Sequence, residues 1–236
     1  EWSKGNLLRE GVDEKNILVT GNSVIDALNF VAQQPEPRAI TELLERLGIR
    51  GLETRRPETG RLVLVTAHRR ENFGQPLENI CHAIKELAAR GDMEIVYPVH
   101  LNPNVQEPVN RILKGTPHIT LLPPLDYLFM VHLMKHAKIL LTDSGGLQEE
   151  APSFGVPVLV LRETTERPEG VEAGTLKVVG TETSQIVHAA KRLLDDPSAY
   201  AAMANAANPY GDGHTAERIV KALMDAYALG TDSRQV

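Results

Sequence analysis

From Leu62 onward, short apolar runs take turns with longer stretches whose apolar residues recur at helical spacing. Leu62–Thr66, Glu94–Tyr97, Ile119–Leu122, Ile139–Leu141, Val156–Leu161 and Leu176–Val179 read as strands. Leu77–Ala89, Val105–Leu113, Tyr127–His136 and Leu147–Phe154 read as the helices between them. Ser184–Leu194, Ser198–Ala206 and a last stretch from about Thr215 to Ala228 extend the helical pattern to the end. Strands that alternate with helices predict an α/β fold, a Rossmann-like doubly wound parallel sheet flanked by helices.

The first sixty residues are less regular. Asn6–Glu10 predicts a helix end stopped by Gly11, and Ile17–Thr20 predicts a short strand leading into Gly21-Asn22-Ser23. Val24, Ile25, Leu28 and Val31 predict a helix that Gln33-Gln34-Pro35-Glu36-Pro37 breaks, which makes that break the best linker in the chain. Ala39–Leu47 predicts an amphipathic helix ending at Gly48, and Gly51–Arg61 a polar, Arg-rich loop. The chain opens at Glu1 inside a pattern that is already helical, so it is expected to be a piece of a longer protein.

Composition narrows the function classes. Over 236 residues, 42% apolar content supports a sizeable core, and a net charge of −6 argues against general nucleic-acid binding. Any anion site must then be built locally. The single cysteine, Cys81, rules out an intrachain disulfide framework and suits a reducing cytoplasm. No apolar run approaches membrane-spanning length.

Candidate chemistry gathers in loops that follow predicted strands, at the edge where doubly wound sheets hold ligands. After Ile139–Leu141 comes Thr142-Asp143-Ser144-Gly145-Gly146, then a helix carrying Glu149 and Glu150. Glycines let a ligand approach the backbone, and open amides at a helix start favour an anion such as a diphosphate. A carboxylate a turn into that helix can accept hydrogen bonds from two ribose hydroxyls. An ordinary strand–turn–helix corner with a solvated Glu pair fits the same residues. After Leu62–Thr66 comes Ala67-His68-Arg69-Arg70-Glu71-Asn72-Phe73-Gly74, where two arginines and a histidine offer donors to phosphate. After Glu94–Tyr97, prolines flank His100 and Asn102 in a stiff loop, and Arg162–Gly170 suits a loop that folds over a ligand.

The segments HRRENFG, YPVHLNPNV, LLPPLDY, LLTDSGGLQEEAPSFGVPVLVLRETTERPEG and NPYGDG, with GNSVIDAL before them, stand here in a telling order. That order resembles the non-hydrolysing UDP-N-acetylglucosamine 2-epimerases from about Asn6 to Leu223. The resemblance implies the second domain of a GT-B-type two-domain enzyme. Residues 1–37 would be a remnant of the first domain with the interdomain segment, 38–207 the UDP-binding domain, and 208–236 a C-terminal crossover helix. It implies interconversion of UDP-GlcNAc and UDP-ManNAc by elimination of UDP to 2-acetamidoglucal and re-addition, with no cofactor and no metal. His68 and His100 would act at the reacting end, and His68 with Arg70 would contact the diphosphate. Ser144 and the amides of Gly145 and Gly146 would hold the phosphates, Glu150 with Glu149 beside it the ribose, and Arg167 would close over them. Arg69 is the candidate for an allosteric nucleotide-sugar site.

The family's acid/base carboxylates lie on the first domain, which no segment here matches, so the chain alone is expected to bind UDP weakly without epimerising. The resemblance further implies a cytoplasmic homodimer that feeds cell-surface polysaccharide synthesis, with UDP-GlcNAc or UDP as ligand and neither nucleic acid nor membrane as partner. A GT-B glycosyltransferase donor domain, a non-catalytic nucleotide-binding module and a hydrolysing relative are the alternatives.

Overall fold

Six parallel strands among the described residues pair in the order β3-β2-β1-β4-β5-β6 in a computed structural model describing residues 1–49 and 61–232. They are β1 (Arg61–Thr66), β2 (Met93–Pro98), β3 (Ile119–Leu122), β4 (Ile139–Thr142), β5 (Val158–Val160) and β6 (Leu176–Val178). Of the loop expected over Gly51–Arg61, all but Arg61 lies outside the described residues.

Neighbouring residues on a strand serve opposite faces, and both faces are covered. Val63, Val65, Ile95, Tyr97, Leu141 and Leu159 pack on one side against α4 (Gln75–Ala88), α5 (Pro103–Leu113) and α9 (Thr183–Asp195). Leu62, Leu64, Val96, Leu140 and Val158 pack on the other against α2 (Ser23–Ala32), α3 (Arg38–Arg46) and α6 (Tyr127–His136). A strand buried on both faces has no polar side, which is why these strands read as unbroken apolar runs. Cys81 lies fully buried in α4 with its thiol pushed up to about 12 by burial, so it is core filler.

Side chains satisfy open amides at the starts of α2, α5, α6 and α10 (Pro197–Ala204). Asp126 accepts from the Phe129 amide at 3.0 Å to start α6, and Asn102 from the Asn104 amide at 2.9 Å to start α5. α1 (Trp2–Arg9) opens the chain, while α10 and α11 (Thr215–Asp232) close it. Asp26 of α2 accepts from the Thr215 and Ala216 amides at 3.2 and 2.8 Å, which fastens the start of α11 to α2. None of the described helices is long and apolar enough to cross a membrane.

The structure corrects several expectations. Ile17–Thr20 is not a strand: no described strand runs beside it, and Leu18 and Val19 are exposed. An apolar run becomes a strand only through a ladder partner. The helix expected over Leu147–Phe154 begins earlier, as α7 (Gly145–Glu150), and ends in a 3-10 turn over Ala151–Phe154. Part of the loop expected over Arg162–Gly170 is a short helix, α8 (Pro168–Glu172).

Candidate functional site

β1 and β4 lie side by side at the centre, but the chain leaves them toward opposite edges of the sheet: β2 lies beyond β1 and β5 beyond β4. Their carboxyl ends therefore frame a crevice, the usual ligand position in such sheets. Thr66 and Thr142 are register partners there, and their hydroxyl oxygens lie 2.6 Å apart.

Asp143 organises the two loops. It is completely buried, and its Oδ2 accepts from the His68 and Arg69 amides at 2.8 Å each and from Asn72 Nδ2 at 3.0 Å. Asn72 also donates to the Leu161 carbonyl at 3.1 Å, tying in the strand beyond. His68 and His100 stack with ring centroids 5.3 Å apart and planes 15° from parallel, so the loops after β1 and β2 meet. Burial lowers the His68 pKa, against the raising effect of the Asp143 charge, and the charges of His100 and Arg69 add to the lowering.

Two guanidinium groups converge over the start of α7. A β-carbon built on Gly145 would lie 3.4 Å from a guanidinium nitrogen of Arg69 and 3.5 Å from one of Arg167. The Ser144 side chain makes no cap hydrogen bond, so the first amides of α7 stay open beneath those cations. Arg69 thus sits with the central loops, on the same glycine as Arg167. Arg70, on the adjacent 3-10 turn Arg70–Asn72, is exposed and makes no hydrogen bond or ion pair with a described side chain. Glu166 is held down to about 2, first by hydrogen bonds from Arg162 at 2.9 Å and then by the charges of Arg162, Arg69 and Arg167, against the opposing effect of burial.

The two glutamates of α7 differ. Glu149 is engaged: Arg167 Nε donates to its Oε1, and Asn22 Nδ2 donates to its Oε2 at 2.6 Å. Glu150 is also buried, but its Oε2 has no hydrogen-bond partner among the described residues. Burial, reinforced by the Glu149 charge, pushes its carboxyl up to about 7, and the Tyr127 hydroxyl offsets part of that. A buried carboxyl oxygen without a partner is costly and suits a site that a hydroxyl-bearing ligand completes.

Sequence reasoning missed Asp143, Tyr127 and Asn22. Asp143 and Tyr127 sit inside quoted motifs, just beyond the ends of β4 and β3, and that position was the available signal. Asn22 reaches Glu149 across 127 positions, which no local pattern reports. A cleft of about 450 Å³, lined among others by Trp2, Leu18 and Tyr210, shares Glu149, Glu166 and Arg167 with this cluster.

Comparison with known proteins bears on the ligand. The family model described as UDP-N-acetylglucosamine 2-epimerase matches residues 1–224. A UDP-N-acetylglucosamine 2-epimerase of Yersinia pestis is 54% identical over 230 residues, covering 95% of this chain and 59% of that protein. The Escherichia coli K12 enzyme of the same name is 51% identical, with 95% and 59% covered. A Neisseria meningitidis UDP-GlcNAc 2-epimerase solved with UDP-GlcNAc superposes with a TM-score of 0.85 at 44% identity, covering 94% of this chain and 59% of that one. An S. aureus protein solved with UDP gives 0.86 at 43% identity, with 96% and 59% covered. The chain therefore spans about three fifths of the length of the relatives it matches.

Proposed function

Because the chain belongs to the UDP-N-acetylglucosamine 2-epimerase family, we propose that it is the UDP-binding part of an enzyme interconverting UDP-GlcNAc and UDP-ManNAc. The observation that carries this reading is the unpartnered buried oxygen of Glu150, one turn from a glycine pair under two converging arginines. Ribose hydroxyls donate to Glu150, which is free to accept, while Glu149 holds Arg167 in place. The diphosphate lies against Arg69, Arg70, Arg167, Ser144 and the amides of Gly145 and Gly146. His68 and His100, stacked at the end of β1 and β2, meet its sugar end. The shared position of Arg69 and Arg167 over Gly145 favours this first diphosphate over a separate allosteric site for Arg69.

The chemistry needs a good leaving group. A base removes the C2 proton, the anomeric C–O bond breaks with its electrons going to UDP, and 2-acetamidoglucal remains. UDP then adds back to C1 while a proton reaches the other face of C2. Cations around the diphosphate stabilise the charge that gathers there as the bond breaks. This chain supplies those cations. The C2 acid/base carboxylates are assigned to the first domain, of which this chain would hold only a remnant. Residues 1–37 are accordingly read as a first-domain remnant with the interdomain segment, 38–207 as the UDP-binding domain and 208–236 as the crossover helix. The intact enzyme is read as a cytoplasmic homodimer supplying cell-surface polysaccharide synthesis.

The test is proton exchange at C2 in heavy water, with this chain alone and with a first domain joined to it. The two-domain protein is expected to epimerise UDP-GlcNAc with deuterium entering at C2, and the isolated chain to leave it unchanged. Turnover by the isolated chain, or sugar transfer to an acceptor without UDP-ManNAc, would overturn the reading.

A further inference from the structure

Asp143 has one oxygen saturated and one idle. Oδ2 takes three donors, whereas Oδ1 is buried, has no hydrogen-bond partner among the described residues, and lies 3.8 Å from His68 Nδ1. That separation is an ion-pair distance, and a small turn of the imidazole closes it to a hydrogen bond. The His68 backbone and one face of the ring are held. Its own main-chain N–H is fixed on Asp143, and His100 is stacked against its face. His100 itself uses Nδ1 to accept from the Asn102 amide at 3.1 Å, so it does not compete for the idle oxygen. The ionisable groups acting on His68 are Asp143 at the end of β4, His100 after β2 and Arg69 on its own loop. Asp143 is the only acid among them.

We propose that Asp143 is a positioning residue for His68: its free oxygen fixes Nδ1 as the proton-bearing nitrogen and leaves Nε2 as the nitrogen that titrates. This deepens the reading of His68 as a diphosphate contact and rests on it for its purpose, though not for its test. An imidazole held so gains its second proton at Nε2 when an anion arrives, and becomes a cationic donor without losing its place. Other placements of the proton would set a lone pair against the Asp143 carboxylate.

Asp143→Asn separates position from charge. Its amide oxygen can take the place of Oδ2 and keep the three donors, while its NH2 group replaces Oδ1 and must meet a lone pair on Nδ1. The experiment is a nitrogen-15 NMR pH titration of the full 236-residue chain with labelled histidine, the His68 signals being identified by their loss in His68→Gln. In the unsubstituted chain, neutral His68 is expected to carry its proton on Nδ1. In Asp143→Asn the proton is expected on Nε2, with the pKa lower by about one unit or more, the effect of losing a close opposite charge. The same tautomer and titration in both chains overturn the proposal. If the variant fails to fold, the unsubstituted chain still decides, because an Nε2–H tautomer there overturns it. UDP is then added to the unsubstituted chain. Signals that show the expected tautomer yet ignore UDP support the Asp143 pairing and overturn the diphosphate reading alone.

Discussion

Glu150 and Glu149 are adjacent in sequence and do different work. Glu149 is bound by Arg167 and Asn22, while Glu150 carries an open oxygen and a carboxyl pushed up from 4.5 to about 7. Between those two pH values the folded chain holds a proton on Glu150 that the unfolded chain has lost. Stability therefore falls as pH rises from about 4.5 through about 7 and levels off above, with Glu150 responsible for at most about 3 kcal/mol. Glu150→Gln removes that loss. Calorimetric melting is expected to show the variant more stable than the parent at about pH 8 and close to it at about pH 5. Equal melting differences at both values would show that Glu150 ionises freely. The motif-bearing residues were legible at this scale because they cluster in short loops after apolar runs. Their division of labour was not. Whether Glu149 or Glu150 is free depends on Asn22 and Arg167, which lie far from them in sequence.

At the scale of elements, the central strands β1, β2, β4 and β5 were readable because they are buried on both faces, and α4, α5 and α9 because one stripe of each faces the core. The two misses have separate causes. Ile17–Thr20 has the composition of a strand but no strand to pair with among the described residues, and α8 is only five residues long, too short for a helical period to show. Yet α8 is tightly placed. A β-carbon on Gly170 would meet Leu176 Cγ at 2.7 Å and also collide with the Tyr210 hydroxyl. The close approach of α8 to β6 and to the 208–214 turn thus requires glycine at that point. Gly170→Ala is expected to destabilise the chain by about 1–3 kcal/mol, the usual cost of overpacking, as a lower urea midpoint with an unchanged slope. An unchanged midpoint would mean that α8 shifts freely on the sheet.

Across the whole molecule, strand order brings four loops to one crevice, where they meet around Asp143, His68, His100 and the start of α7, the fourth through Arg167. The alternation of elements foretold a doubly wound sheet. It did not foretell which carboxylate stitches the loops together, because an aspartate inside a Thr-Asp-Ser-Gly-Gly loop looks the same buried or solvated. The central claim is that these loops hold UDP, and calorimetric titration of this chain with UDP, alongside Arg70→Ala and Glu150→Ala, tests it most directly. Arg70 is exposed and bonds to no described side chain, so its loss leaves the fold intact and reports on the ligand alone. Saturable binding that each substitution weakens by about 1–3 kcal/mol, the size of a lost charged hydrogen bond, is the predicted result. Binding indifferent to both substitutions, or none by a chain that melts cooperatively, would contradict it.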